Sequence, residues 1–172
     1  MNDPLSLIYE ATILTPELSV KHRVLNRIEL VNGIKVIRGD VSLGHALLTS
    51  LPDLHDVYVT GFFDCSENHL IDLYGCPVRV GSAFYCNKNK LINLKHSPKY
   101  VGGEFDCADN RIHILDLENG PEFIGENFYC EGNPLPKGTP GILSSSEYQE
   151  YRKKLKLQKE FGDDIGQTIH DL

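Results

Sequence analysis

The stretch Phe84-Tyr85-Cys86-Asn87-Lys88-Asn89-Lys90-Leu91 decides the fold, because its pattern occurs four times in the chain. Each copy has Phe and Cys two positions apart, then Asn, then Leu or Ile, and successive Asn residues are 21, 21 and 23 positions apart. The copies span Phe63–Leu70, Phe84–Leu91, Phe105–Ile112 and Phe128–Leu135. Agreement in this many columns indicates an internal repeat.

Further columns lengthen the repeating unit on both sides. An apolar-Gly pair begins four positions before three of the Phe residues, at Val80-Gly81, Val101-Gly102 and Ile124-Gly125. A Leu follows each of the first three copies, four residues before a Pro, at Leu73, Leu94 and Leu117. A degenerate copy precedes them, with Val41, Leu43, Leu48 and Leu51 in the apolar columns and Ala46 in the Asn column. The sequence therefore predicts about five rungs, from near Ile37 to near Leu135.

The spacing within each copy has a physical explanation. Phe and Cys two residues apart point to the same face of a short strand, so they can stack into a core. A turn must follow, and an Asn side chain there can satisfy backbone groups that stacked coils would otherwise bury unpaired. No single copy can bury its apolar side, so stability has to come from stacking. We assign this structural role to Asn68, Asn89, Asn110 and Asn133.

Residues 37–137 resemble the leucine-rich repeat, with Phe and Cys in two strand positions that Leu usually holds. At about 21 residues, the units are similar to the compact repeats of some bacterial effectors and to Phe-x-Cys-x-x-Asn arrays of tailed-phage proteins. The resemblance implies an α/β right-handed solenoid with one curved parallel sheet, capped by short N- and C-terminal helices. One departure is the distance from Val80 to Phe84, four residues where the usual repeat has three. We expect a bend or bulge at the glycines that follow the apolar residue, namely Gly81, Gly102 and Gly125.

Both ends of a solenoid need caps. We divide the single structural domain into an N-terminal cap at 1–36, the array at 37–137, and a C-terminal helix and tail at 138–172. Residues 4–12 are predicted to form a short helix, and one of Ser144, Ser145 and Ser146 is expected to cap a helix that runs to about Phe161. That second helix has Tyr148, Tyr151 and Leu155 on one side, and it either packs as a cap or projects to bind a partner.

The leucine-rich-repeat resemblance implies that the exposed, concave side of the sheet binds a partner. The outward columns contain acids and aromatics but no Lys or Arg, and on neighbouring rungs Asp64, Tyr85, Asp106 and Tyr129 form one ladder. This pattern favours a protein partner with a basic surface, and the alternative is a solvated face that only maintains solubility. The candidate partner-binding residues are Asp40, Phe62, Asp64, Tyr85, Asn87, Glu104, Asp106, Asn127, Tyr129 and Glu131.

Composition narrows the function classes. The net charge of −7 argues against binding to nucleic acid, which requires a basic face. No apolar stretch reaches the roughly 20 residues that span a membrane, and the start Met1-Asn2-Asp3-Pro4 lacks the features of a secretory signal. We therefore expect a cytoplasmic protein of the producing or infected cell, with its five cysteines reduced.

Neither a metal, nor a cofactor, nor catalysis is expected. The Cys column at 65, 86, 107 and 130 is a straight inward ladder, whereas zinc needs thiolates that converge on one ion. No nucleophile elbow, phosphate loop or metalloprotease motif occurs in the chain. The sequence favours a protein-binding module, an adaptor or inhibitor, and the resemblance adds phage or bacterial factors that target a host protein. The alternative is a structural component of a larger assembly, joined through its end caps. The oligomeric state is left open.

Overall fold

The computed structural model describes residues 15–113, 117 and 119–161. Two helices lie at the ends of this part of the chain, α1 (Pro16–Leu25) and α2 (Ser145–Phe161). Twelve short strands lie between them: β1 (Glu29–Val31), β2 (Ile34–Ile37), β3 (Val41–Ser42), β4 (Val57–Val59), β5 (Phe63–Asp64), β6 (Arg79–Val80), β7 (Phe84–Tyr85), β8 (Tyr100–Val101), β9 (Phe105–Asp106), β10 (Phe123–Ile124), β11 (Phe128–Tyr129) and β12 (Ile142–Leu143).

The strands form two six-stranded sheets. Sheet A has the order β1-β2-β4-β6-β8-β10, and sheet B has the order β12-β11-β9-β7-β5-β3. All neighbours are parallel except β1 with β2 and β11 with β12, which lie at opposite ends of the molecule. A rung is one strand of sheet A followed by one strand of sheet B, and five rungs, β2–β3 to β10–β11, stack in chain order. The predicted solenoid is confirmed, with about four turns.

The prediction of one curved sheet is wrong. The strands that begin at Phe63, Phe84, Phe105 and Phe128 are adjacent, parallel and in register, as expected, but they form sheet B alone. The apolar residue that precedes each glycine belongs to a separate ladder in sheet A, where Val59, Val80 and Val101 pair in register. Each rung therefore crosses two sheets.

Glycine explains why the chain bends between the sheets. A Cβ atom added at Gly81 would overlap the carbonyl oxygen of Thr60, one at Gly102 the carbonyl oxygen of Gly81, and one at Gly125 the carbonyl oxygen of Gly102. These three glycines lie directly on one another at the corner, where the backbones approach too closely for any side chain. The expected bend is therefore a corner between two sheets and not a bulge within one.

One continuous core fills the interior of the coil. The rings of Phe63, Phe84, Phe105 and Phe128 are fully buried and stacked, with centroids 5.5, 5.2 and 5.4 Å apart. The Cys column lies beside them, and sheet A contributes Ile37, Val59, Val80, Val101 and Ile124. The residues that the repeat pattern directs inward form this core.

Helix α2 covers the C-terminal end of the coil. The Tyr148 ring stacks on Phe128 with a centroid distance of 4.4 Å, so it occupies the place of a further Phe in the column. Three side chains of α2 donate to carbonyl oxygens along the open edge of sheet A: Ser145 to Ile124, Tyr148 to Pro121, and Gln149 to Glu122. The helix is therefore a cap that satisfies the edge in place of a strand.

The start of α2 agrees with the sequence. The Ser144 hydroxyl accepts from the backbone N–H of Glu147, and the Glu147 carboxylate accepts from the backbone N–H of Ser144 at 2.8 Å. This reciprocal pair is a capping box. The Ser144 hydroxyl lies 2.6 Å from the Glu147 carboxylate as well, and this side-chain hydrogen bond, followed by the backbone one, holds the pKa of Glu147 below its usual value.

The N-terminal end differs from expectation where it can be compared. The helix predicted over residues 4–12 lies outside the described residues, and α1 begins after its cap residue Thr15. An Asn32-Gly33 turn with positive φ at both residues joins β1 to β2. Val24 is buried, whereas Leu30 is 74% exposed because it lies on a hairpin strand at the edge of sheet A.

Candidate functional site

The Asn column fixes the geometry of the rungs that any surface site depends on. The Asn89 amide donates to the carbonyl oxygens of Cys86 in its own rung and Cys65 in the preceding rung, at 3.2 and 3.0 Å. Its oxygen accepts from the N–H of Leu70. Asn68, Asn110 and Asn133 repeat this pattern. Each amide thus joins one rung to the rung before it.

A second column makes the turn before each Asn. The residue that precedes the Asn has a left-handed backbone, with φ of 53° at Glu67, 53° at Lys88, 52° at Asp109 and 71° at Gly132. Only the last of these is glycine, so this conformation could not be predicted from the residue types in the column. The turn directs the Asn side chain inward and ends the strand of sheet B.

The outward side of sheet B carries the candidate partner-binding residues. We define the acidic-aromatic face as Phe62, Asp64, Tyr85, Glu104, Asp106, Tyr129 and Glu131. Its central ladder follows the strand register, in which Asp64 pairs with Tyr85, Tyr85 with Asp106, and Asp106 with Tyr129. These central side chains are half-buried, and Glu131 is exposed. The structure therefore brings the predicted ladder together on one surface.

Tyr85 is held in the middle of this face. Its hydroxyl donates to the Glu104 carboxylate at 2.7 Å, and its ring meets Phe62 edge to face with centroids 6.3 Å apart. Burial, followed by the hydrogen bond to Glu104 and the neighbouring acids, raises the pKa of Tyr85 to about 12. Tyr85 is therefore a neutral, oriented aromatic side chain on an acidic surface.

The pKa of Asp106 is affected by the acidic residues around it. Burial raises the pKa of its carboxyl group above the usual value, and Glu131, Glu104 and Asp109 raise it further. The backbone N–H of Ala108 acts in the opposite direction, donating to the carboxylate at 2.9 Å. The charged neighbours that influence this group are all acidic, so the face holds like charges close together.

The remaining candidate residues have different surroundings. The Asp40 carboxylate accepts from the N–H of Phe62 at 3.0 Å, which gives Asp40 a role at the corner between the sheets. The Asn127 amide donates to the Tyr129 hydroxyl at 3.3 Å. Asn87 is half-buried, and its backbone carbonyl accepts from Glu67 in the preceding rung. Asp40 and Asn127 are exposed.

The structure also shows an outward ladder on sheet A that sequence reasoning missed. Tyr58, Arg79, Tyr100 and Phe123 pair in register along this sheet. The Arg79 guanidinium lies 3.9 Å from the Tyr100 ring centroid and 5.5 Å from that of Tyr58, and Tyr100 stacks on Phe123 at 4.7 Å. In the sequence, three members of this ladder could be recognised as the aromatic or Arg residue immediately before each Val-Gly or Ile-Gly pair, whereas Tyr58 precedes Val59-Thr60.

The thiols lie inside the coil. All five cysteines are free and buried, and burial raises the pKa values of Cys65, Cys86 and Cys107 well above the usual value. In the part of the chain that the structure describes, no three His, Cys, Asp or Glu side chains are grouped as metal ligands would be.

Neither described helix combines the length and the apolar character needed to cross a membrane. Comparison of the chain with protein-family models, with curated proteins and with solved structures gave no match.

Proposed function

We propose that this protein is a non-enzymatic binding module, an adaptor or inhibitor, that docks a protein with a basic surface on its acidic-aromatic face. The single observation that carries the proposal is the strand register of sheet B, which places the carboxylates of Asp64 and Asp106 on either side of Tyr85, whose hydroxyl is bonded to the Glu104 carboxylate. Repulsion among these carboxylates is relieved when a cationic surface covers them. The leucine-rich-repeat resemblance, with its exposed sheet face as the usual binding surface, supports the same side of the molecule.

The aromatic residues of the face favour an interface over a surface that is merely solvated. Tyr85 is oriented by Glu104 and Phe62 before any partner arrives, so little side-chain entropy remains to be lost on binding. Tyr and Phe are enriched in the centres of protein interfaces, where they supply contact area. The resemblance to phage and bacterial proteins makes a host protein one candidate partner within this proposal.

The alternative function is a structural role through the end caps. At the C-terminal end, Tyr148 and Leu155 are already buried against the chain's own core, and α2 already bonds the edge carbonyls. The edge of sheet A at that end is therefore already occupied by α2. This observation favours the acidic-aromatic face as the contact surface.

The test is to capture partner proteins from the native host, once with the wild-type chain and once with a variant that lacks charges on the acidic-aromatic face. Asp64→Asn with Asp106→Asn removes two charges but keeps the side-chain oxygens that accept from Ser66 and Ala108. The partner retained by the wild-type chain should be lost or strongly weakened with this variant. Its binding to the wild type should weaken as salt is added, and that salt dependence should decrease in the variant.

Asp72→Asn is a matched control, because Asp72 is exposed and also accepts a backbone N–H two residues later, from Tyr74 at 2.9 Å. It should bind as the wild type does. Tyr85→Ala tests the aromatic part of the same face, and loss of an interface anchor of this kind typically weakens binding by roughly 2 kcal/mol. Wild-type binding by the folded Asp64→Asn/Asp106→Asn variant would contradict the proposal.

A further inference from the structure

A cleft lies between helix α2 and the loops that lead into β8 and β10. Its volume is about 520 Å³, which is within the usual size of small-molecule sites, roughly 300 to 1,000 Å³. The cleft lies apart from the acidic-aromatic face, on the side of the coil where the chain returns from sheet B to sheet A. The charged side chains that line it are Lys99, Arg152, Lys156, Lys159, Glu122 and Glu160.

The walls of the cleft are fixed to one another. The Gln149 amide donates to the Glu122 carbonyl oxygen at 2.9 Å, and the Tyr148 hydroxyl donates to that of Pro121, so α2 is attached to the loop before β10. The Ser97 hydroxyl bonds the carbonyl oxygens of Leu94 and Asn119, which ties the two loops together. These bonds hold α2 and the two loops together around the opening.

The cleft is cationic in a chain whose net charge is −7. Three cations are supplied by one side of α2, at Arg152, Lys156 and Lys159, and the loop before β8 supplies Lys99 opposite them. Among the described residues, the lining therefore holds four cations and two carboxylates, and Arg152 and Lys159 already have interaction partners. A concave site lined mainly by one sign of charge focuses the field and concentrates ions of the other sign.

Within the described part of the chain, the ammonium groups of Lys99 and Lys156 form no ion pair, although Lys21, Lys35 and Lys88 do so elsewhere on the surface. Lys99 and Lys156 come from separate elements and line the same opening. An anion held in this opening can accept a charge-assisted hydrogen bond from an ammonium group.

We propose that this cleft is a binding site for a small phosphorylated anion, with Lys99 and Lys156 as its two principal contacts. A multiply charged phosphate compound matches both the charge of the lining and its size. The site is independent of the acidic-aromatic face, so each can fail without the other.

The experiment measures pyrophosphate binding to the full chain by calorimetry at low ionic strength. We expect saturable binding of about one ion per chain and a rise in melting temperature, because a ligand that binds only the folded state stabilises it. The variant Lys99→Ala/Lys156→Ala should lose affinity by about tenfold or more. Both side chains are exposed, so the variant should fold normally.

Lys153→Ala/Lys154→Ala is the matched control. It has the same change in net charge, but its two lysines are exposed on α2 outside the cleft. It should bind pyrophosphate as the wild type does. Equal loss of affinity in the two variants would show a general charge effect, and no saturable binding at millimolar pyrophosphate would show that there is no site; either result overturns the proposal.

Discussion

At the scale of single residues, the Asn side chain is the most informative feature of the repeat. Each amide uses its two N–H groups and its oxygen on backbone atoms of its own and the preceding rung. This explains the exception in the first rung, where Ala46 occupies the Asn column. Among the described residues no rung precedes that one, so an amide there would lack the carbonyl that the others bond.

Asn89→Ala should be strongly destabilising. The change leaves the buried N–H of Leu70 without its partner, while the carbonyl oxygen of Cys65 keeps only the bond from the Asn68 amide. Each buried polar group that loses its partner costs about 1–3 kcal/mol, so the free energy of unfolding should fall by at least that amount. Chemical denaturation measures it. Asn93→Ala is the control, since Asn93 bonds only the exposed turn at Lys95, and equal effects of the two changes would contradict the assigned role.

Asp106→Asn should make the protein more stable at neutral pH. Because burial raises the pKa of Asp106 in the folded state, the folded chain binds this proton more readily than the unfolded chain. The charged carboxylate therefore lowers stability above the folded pKa, and this penalty disappears as the pH falls below the unfolded value near 4. The melting temperature of the variant should exceed that of the wild type at pH 7, and the difference should vanish near pH 3. A lower melting temperature for the variant at pH 7 would contradict this account.

Sequence reasoning succeeded at the residues whose chemistry forces a position. Phe63 and Cys65 must be inside because they are apolar and two apart on a strand. The left-handed turns at Glu67 and Lys88 could not be predicted from the sequence, because these residue types do not favour a positive φ. The role of Asp40 at the corner was also hidden, because it depends on how close the N–H of Phe62 lies in the next rung.

At the scale of elements, the strands of sheet B and helix α2 could be predicted, but sheet A could not. Strands such as β6 (Arg79–Val80) have one buried and one exposed residue, which is too short a pattern to show the alternation of a strand. The ladder pairing in the structure reveals it, since Val80 pairs with Val59 and Val101. The outward ladder of Tyr58, Arg79 and Tyr100 was missed for the same reason.

Gly102→Ala should test the corner between the sheets. The added Cβ would overlap the carbonyl oxygen of Gly81, so the rungs would have to separate, and we expect a clear fall in melting temperature. Gly103→Ala is the control at the next position of the same corner. Its added Cβ would come no closer than 3.2 Å to the Ser82 backbone, so only a small adjustment is required. Equal effects of the two changes would show that the backbones are not closely packed there.

Tyr148→Ala should loosen the C-terminal cap. It removes the ring that stacks on Phe128 and the hydroxyl that bonds the carbonyl of Pro121. Removal of a large buried aromatic side chain costs about 3–5 kcal/mol. Tyr148→Phe keeps the ring and should cost only the hydrogen bond, about 1–3 kcal/mol. Urea denaturation of both variants measures the two costs. Lys153→Ala is the control, because Lys153 is exposed on the same helix. A Tyr148→Ala chain as stable as this control would show that α2 is not packed.

At the scale of the whole molecule, charge is divided among separate surfaces. The acidic-aromatic face lies on sheet B, Arg79 lies among aromatic rings on sheet A, and the cationic cleft lies beneath α2. The repeat alignment predicted the first surface, because its residues occupy columns of one strand. It could not predict the cleft, because Lys99 and Lys156 are far apart in the chain and only the packing of α2 brings them to one opening.

The hydrogen bonds of the Asn column affect how the number of repeats can change in evolution. Each amide joins its own rung to the one before it and to no other, so a rung is specified by a 21-residue segment and its immediate neighbour. Duplication of such a segment in a gene would add a coil whose Phe, Cys and Asn fall into the existing columns. The array would lengthen by about 4.8 Å, and both ends would keep the contacts they already have. Duplication of a gene segment can therefore change the length of this array by whole rungs.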